Sequence, residues 1–227
     1  MGDSLILGID DAGRGPVIGP MILAGCLIDK KIHPELKKWG VKDSKMLTQK
    51  RREFLEKKIK EVVEDFAVVL VTPEQIEKKN EEGVNLNEVE AIAVAKIINK
   101  LNHGKQKIKV VVDCPSVSLV KWGDLLKTKI KNLSNLEISC EHKADKNHLS
   151  VSAGSILAKC MREKEMRKLK EKYGDEMGSG YPSDPLTKRF LAKYARKYAN
   201  DGIFRKTWST WKKAYAARSQ KKLLGLV

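Results

Sequence analysis

Short runs of consecutive apolar residues mark the first two-thirds of the chain, and stripes at helical spacing lie between and after them. LILGID at residues 5–10 is continuous enough for a buried strand, and VIGPMILAGCLI at 17–28 for one or two more. FAVVLV at 66–71, IKVVV at 108–112 and the stretch 136–140 repeat the pattern; IKVVV ends in Asp113 and reads as a buried central strand. Leu55, Ile59, Val62 and Phe66 recur on one side of a helix that Thr48 caps and that runs to about residue 65. Thr72-Pro73 opens a short helix with proline at its first position. Val89, Ala93, Ile97 and Leu101 form the stripe of a helix over 87–101. Helices around 118–131 and from about 151 to 173 follow. The remainder is helical and basic, broken at Gly178-Ser179-Gly180-Tyr181-Pro182 and near Gly202. Strands first, then alternation, then helices predict an α/β fold: a mixed sheet flanked by helices, with a core over 1–177 and a basic helical subdomain over 178–227.

Composition narrows the function classes. The 227 residues suffice for a real core, and no apolar run approaches the ~20 residues that span a bilayer. No secretory signal opens the sequence, so a cytoplasmic protein without membrane contact is expected. Cys26, Cys114, Cys140 and Cys160 are scattered, with no Cys-x-x-Cys pair, which points to buried free thiols rather than a zinc ribbon or disulfide scaffold. Lys and Arg number 45 against 29 Asp and Glu, a net charge of +16. Such an excess attracts polyanions, nucleic acid above all; a lysine-rich solvated surface accounts for the same number.

Against that background the carboxylates are placed oddly. Asp10-Asp11 and Asp113 fall at the C-terminal ends of expected strands, the edge where open α/β sheets collect ligands. Neighbours on a regular strand point to opposite faces, so Asp10 and Asp11 serve one site only where the strand ends; Gly13, Gly15 and Pro16 predict that it does. Asp145, in CEHKADKNHLSVSAGSILAK at 140–159, lies just beyond another strand. Carboxylates brought together repel unless a cation neutralises them, and oxygen-only ligation suits Mg²⁺ or Mn²⁺. An acidic pocket in a basic protein is what two-metal phosphodiester hydrolysis requires. Taken singly, Asp113 ahead of Pro115 also fits a turn, and Asp145 a helix cap.

These segments resemble ribonuclease HII, particularly the archaeal enzymes and the related eukaryotic ribonuclease H2 catalytic subunit. GIDDAGRGPVIGPM at 8–21 is similar to that family's opening motif and VKDSKMLT at 41–48 to its second; EHKADKNHLSVSAGSILAK and GSGYPSDP at 178–185 are similar to later ones. The resemblance covers about residues 5–211. It implies a ribonuclease H-like fold and a metal-dependent endonuclease that hydrolyses the RNA strand of RNA/DNA hybrids. It also implies nicking 5′ of a ribonucleotide embedded in duplex DNA, leaving 3′-hydroxyl and 5′-phosphate ends. Carried over by position, it makes Asp10, Asp11, Asp113 and Asp145 the catalytic, metal-binding set. Gly13, Arg14 and Gly15 become the loop that reads the ribose 2′-hydroxyl, and Tyr181 the ring against the following sugar. Ser44, Lys45 and Lys143 would lie near the phosphates, while Lys188, Arg189, Lys193 and Arg196 would grip duplex backbone.

The chain departs from the pattern where the family has Asp-Glu. Asp11 is one methylene shorter, which would leave its carboxylate ~1–1.5 Å from a glutamate's reach, less serious where the backbone carbonyl is the ligand. An alternative of another class follows: a hybrid-binding protein with weakened or lost catalysis. Gly154 stands where the family usually has alanine, and reads as a packing detail. A junction resolvase of the same general fold is disfavoured by the Gly-Arg-Gly and Gly-Tyr-Pro-Ser-Asp segments. QKKLLGLV at 220–227 resembles the sliding-clamp-binding tail of some archaeal members, with Leu226 and Val227 where two aromatics usually stand; a last helical turn packed on the domain fits equally. The resemblance implies a monomer.

Overall fold

In the computed structural model, which describes residues 5–41 and 46–223 with side chains through residue 217, the apolar runs become a five-stranded sheet of order β3-β2-β1-β4-β5. Strand β1 (Leu5–Ala12) pairs antiparallel with β2 (Met21–Asp29) and parallel with β4 (Ile108–Asp113), which pairs parallel with β5 (Leu136–Glu141). Strand β3 (Asp65–Val71) takes the other edge beside β2. The mixed sheet follows from the connections: the short glycine-rich link after β1 permits only an antiparallel return, whereas β4 is reached through helices.

The helices are α1 (His33–Lys38), α2 (Gln49–Val62), α3 (Pro73–Glu81), α4 (Leu86–Leu101), α5 (Leu119–Lys127), α6 (Ala144–Asn147), α7 (Leu149–Tyr173), α8 (Pro185–Tyr194) and α9 (Ser209–Leu223). The expected caps are in place. Thr48 Oγ1 accepts from Arg51 N, and Thr72 with Gln75 completes a reciprocal capping box ahead of Pro73. The helix expected over about 151–173 is the single element α7, and a short unforeseen helix, α6, precedes it, set apart by the extended backbone of His148.

By contacts the chain divides into two units, each assembled from separated stretches. The first gathers residues 1–12, 22–70 and 86–161; the second gathers 13–21, 71–85 and 162–227. Within the first, Ala24, Cys26 and Ile28 of β2 pack with Leu55 and Ile59 of α2 and with Ile156 and Cys160 of α7. The cysteines are free thiols; Cys140 is half-buried and the other three are buried. Two glycines allow α7 to lie directly on the sheet. A Cβ on Gly8 would sit 2.1 Å from the Ser150 carbonyl carbon, and one on Gly154 would sit 2.9 Å from the Ala24 carbonyl oxygen. Within the second unit, Val17 and Ile18 pack with Phe190, Phe204 and Met177, and Val17 N donates to Gly180 O at 2.9 Å.

Candidate active site

The first unit carries the four aspartates. Strand β1 does not end at Asp11 as its following glycines suggest. Its parallel pairing to β4 stops at Ile9, but its antiparallel ladder with β2 continues through Asp10 and Asp11 to Ala12. The pleat therefore sends Asp10 and Asp11 to opposite faces. Asp10 is only 6% exposed, and Asp11 is half-buried. Burial, then the charges of Asp11 and Asp113, push the Asp10 carboxyl well above the ordinary carboxylate range; a hydrogen bond with the Ser155 hydroxyl works the other way. Asp10 Oδ1 also accepts from Asp11 N at 2.7 Å. Asp113, at the end of β4, accepts through Oδ1 from Ala144 N at 2.9 Å, which fixes the start of α6 beside it. Asp145, next along α6, is 3% exposed, and its carbonyl accepts from Ser152 Oγ of α7 at 2.6 Å.

Asp11 and Asp113 are thus close enough to raise the proton affinity of Asp10, a repulsion that a cation would relieve. Their all-oxygen chemistry fits Mg²⁺ or Mn²⁺. Their spacing does not complete the fit: among the described residues, no three or more His, Cys, Asp or Glu side chains are gathered so as to hold a metal ion. At the same sheet edge, Glu141 lies opposite Asp113 in register and meets His148 Nε2 at 2.8 Å through Oε2, while Ser139 Oγ donates to Oε1. Burial acts against its ionisation, but Ser139 and His148 together hold the Glu141 carboxyl below its ordinary value. Sequence reading missed this pair, although both residues stand inside the quoted EHKAD segment.

The second unit carries the loop. Gly13 has φ +83°, in the left-handed region that glycine tolerates, and Gly15 is exposed. Tyr181, 41% exposed, comes to this loop: a Cβ on Gly15 would lie 3.9 Å from its ring. The Arg162 guanidinium lies 5.5 Å over the Tyr181 ring, donating through Nη2 to Ser179 O and through Nη1 to Pro20 O. Asp184 caps α8 and holds the Ser179 turn, accepting from Ser179 N and Oγ at 2.7 Å each; these bonds bring its carboxyl down to about 2. Beneath the loop, Arg205 and Trp208 donate to its carbonyls. Arg162, Arg205 and Trp208 escaped the sequence reading; for Arg205 the reason is that a basic residue in a basic tail reads as surface charge, and Ile203-Phe204 beside it was the available sign of burial.

Lys143 is exposed and is, among the described residues, the one non-glycine with a positive φ, +57°. Lys188 and Arg189 are exposed on α8, and so is Lys193, 3.9 Å from Glu176. Arg196 instead donates to Tyr215 O and stacks on that ring. Ser44 and Lys45 lie outside the described residues, as do the side chains of 220–227.

Comparison with known proteins gives one answer. The family model "Ribonuclease HII" matches residues 7–211. A ribonuclease HII of Thermococcus onnurineus is 45% identical over 210 residues, covering 92% of this chain and 88% of that protein. The crystal structure of ribonuclease H2 from Pyrococcus horikoshii superposes with a TM-score of 0.82 at 42% identity, covering 92% of this chain and 96% of that one. The enzyme in a PCNA:RNase HII complex from Archaeoglobus fulgidus does so with a TM-score of 0.78 at 36% identity, over 90% and 95%.

Proposed function

The chain belongs to the ribonuclease HII family, with its ribonuclease H-like fold, and from that premise we propose that it acts on ribonucleotides in duplexes with a turnover limited by Asp11. The family's activity is cleavage of the RNA strand of RNA/DNA hybrids; the finer reading is a nick on the 5′ side of a ribonucleotide embedded in DNA. The observation that carries it is the pairing of two elements in the second unit, the Gly13-Arg14-Gly15 loop and Tyr181, in mutual reach. A loop backbone suits a 2′-hydroxyl, which both donates and accepts, and an aromatic ring suits the adjoining sugar. Gly13, Arg14, Gly15 and Tyr181 would hold the sugars, and Ser44, Lys45 and Lys143 the phosphates. Asp10, Asp11, Asp113 and Asp145 would hold divalent ions, Mg²⁺ or Mn²⁺, whose chemistry when bound is to activate water and stabilise the leaving 3′ oxygen.

Hybrid binding with weakened or lost hydrolysis is the version that the acidic geometry favours. Asp10 and Asp11 alternate across an unbroken ladder, no metal-holding group of three is gathered among the described residues, and Asp11 has the shorter reach. Incubation of a 5′-labelled duplex carrying one ribonucleotide with Mg²⁺ or Mn²⁺ tests the activity. The expected outcome is a slow nick 5′ of the ribonucleotide, abolished by EDTA and by Asp113→Asn and absent from an all-DNA duplex. Cutting of the all-DNA duplex would remove the reading.

A sliding clamp is a further proposed partner, supported by the PCNA complex of the A. fulgidus enzyme and by the resemblance of 220–227 to a clamp-binding tail. Equal capture by the cognate clamp with and without those residues would end that idea.

A further inference from the structure

Arg205 is fully buried, yet it carries a charge that makes four hydrogen bonds to three backbone carbonyls. Nη2 donates to Gly13 O at 2.6 Å and to Gly19 O at 3.1 Å, Nη1 to Arg14 O at 2.6 Å, and Nε to Gly19 O at 3.2 Å. Trp208 lies against the guanidinium, 5.0 Å from ring to Cζ, and donates its Nε1 hydrogen to Gly15 O at 3.1 Å. The three successive carbonyls of Gly13, Arg14 and Gly15 are therefore drawn toward one pair of side chains.

Peptide geometry gives this a consequence. The described peptide bonds are trans, and in a trans peptide the C=O and the following N–H point in opposite directions. Drawing Gly13 O and Arg14 O toward Arg205 turns the N–H groups of Arg14 and Gly15 away from it. Gly15 O is followed by Pro16, which has no N–H to turn. Two successive N–H groups on the side away from a buried cation form a concavity suited to an oxygen acceptor. Charge-assisted bonds of 2.6 Å are strong enough to keep that orientation before any substrate arrives.

We infer that Arg205 and Trp208 are positioning residues that aim the Gly13-Arg14-Gly15 backbone at a ribose, so that selection of ribose over deoxyribose is set from beneath the loop. The inference rests on the ribose-reading role proposed for that loop. Being buried, Arg205 acts through the loop's carbonyls and has no part in the charge that grips phosphate.

The test measures binding of the full chain, in EDTA so that nothing is cut, to a duplex with one ribonucleotide and to the same duplex in DNA. Trp208→Phe removes the bond to Gly15 O and keeps an aromatic body; Trp208→His restores an N–H donor; Arg205→Lys keeps the charge and loses the fork. The preference for the ribonucleotide duplex should fall roughly tenfold in Arg205→Lys, as loss of about one oriented hydrogen bond implies, and by less in Trp208→Phe, which frees only the Gly15 carbonyl, with partial recovery in Trp208→His. Affinity for the DNA duplex should stay near the wild-type value. Thermal melting identifies any variant that has not folded, and the folded ones decide the matter. Wild-type preference kept in the folded variants, or both affinities falling together, would overturn the inference and leave the loop's reading intact. A wild-type protein with no ribose preference would instead remove that reading, and this inference with it.

Discussion

Asp10 combines two penalties that most proteins avoid: burial of a carboxylate and like charges beside it. Because burial and then Asp11 raise its proton affinity in the folded state, Asp10 contributes stability below its unfolded value. That contribution is lost as the pH climbs through the raised, folded value. Asp10→Asn should therefore melt above wild type at neutral pH in metal-free buffer, converge with it toward about pH 4, and lose all nicking. A melting temperature below wild type at neutral pH would show that the repulsion is not felt. The position of Asp113 at the end of β4, and of Asp10 just past the last β1 residue paired with β4, was legible because each closes an apolar run. The divergence of Asp10 from Asp11 was not: β1 ends at different residues against its two neighbours, and a linear pattern reports only one end. Arg205 was illegible for a related reason, since charge alone does not tell a buried guanidinium from a solvated one.

At the scale of elements, α7 lies on β1 and β2 at the closest distance glycine allows. Gly154, where the resemblance implies alanine, packs against the Ala24 and Gly8 carbonyl oxygens rather than against flexible side chains. Gly154→Ala should cost about 1–3 kcal/mol in denaturant unfolding, through displacement of the first turns of α7 from the sheet. That displacement would also move Ser155 from Asp10, so activity should fall with stability. An unchanged midpoint would mean that the helix yields without strain. Caps at Thr48 and Thr72 were readable because capping is local chemistry. The short α6 ahead of α7 was not, since its end at His148 is fixed by the Glu141 side chain at the sheet edge as well as by the local bond from His148 N to Ala144 O.

Over the whole molecule, the two units are each assembled from separated stretches, with residues 13–21 and 71–85 joining the C-terminal helices. Composition changes gradually along the chain and cannot reveal such a division; it is set by long-range contacts such as Val17 N to Gly180 O and Arg205 N to Val17 O. The charge of +16 was legible at once, and its consequence is measurable. Binding to hybrid should weaken linearly in log–log form with salt, and replacing the exposed Lys188 and Arg189 by alanine should reduce that slope by about 2. An unaltered slope would place the backbone grip elsewhere. The proposed limit on turnover lies at Asp11, where the loop proposed to read the ribose follows a carboxylate one methylene shorter than the glutamate that the resemblance implies. The most direct measurement is the single-turnover nicking rate on a duplex with one ribonucleotide, with saturating enzyme and Mg²⁺, for wild type and Asp11→Glu. The account predicts a nick at the same 5′ position in both and a rate roughly 10- to 100-fold higher for the glutamate. Equal rates would contradict it, because Asp11 would then place no limit on the chemistry.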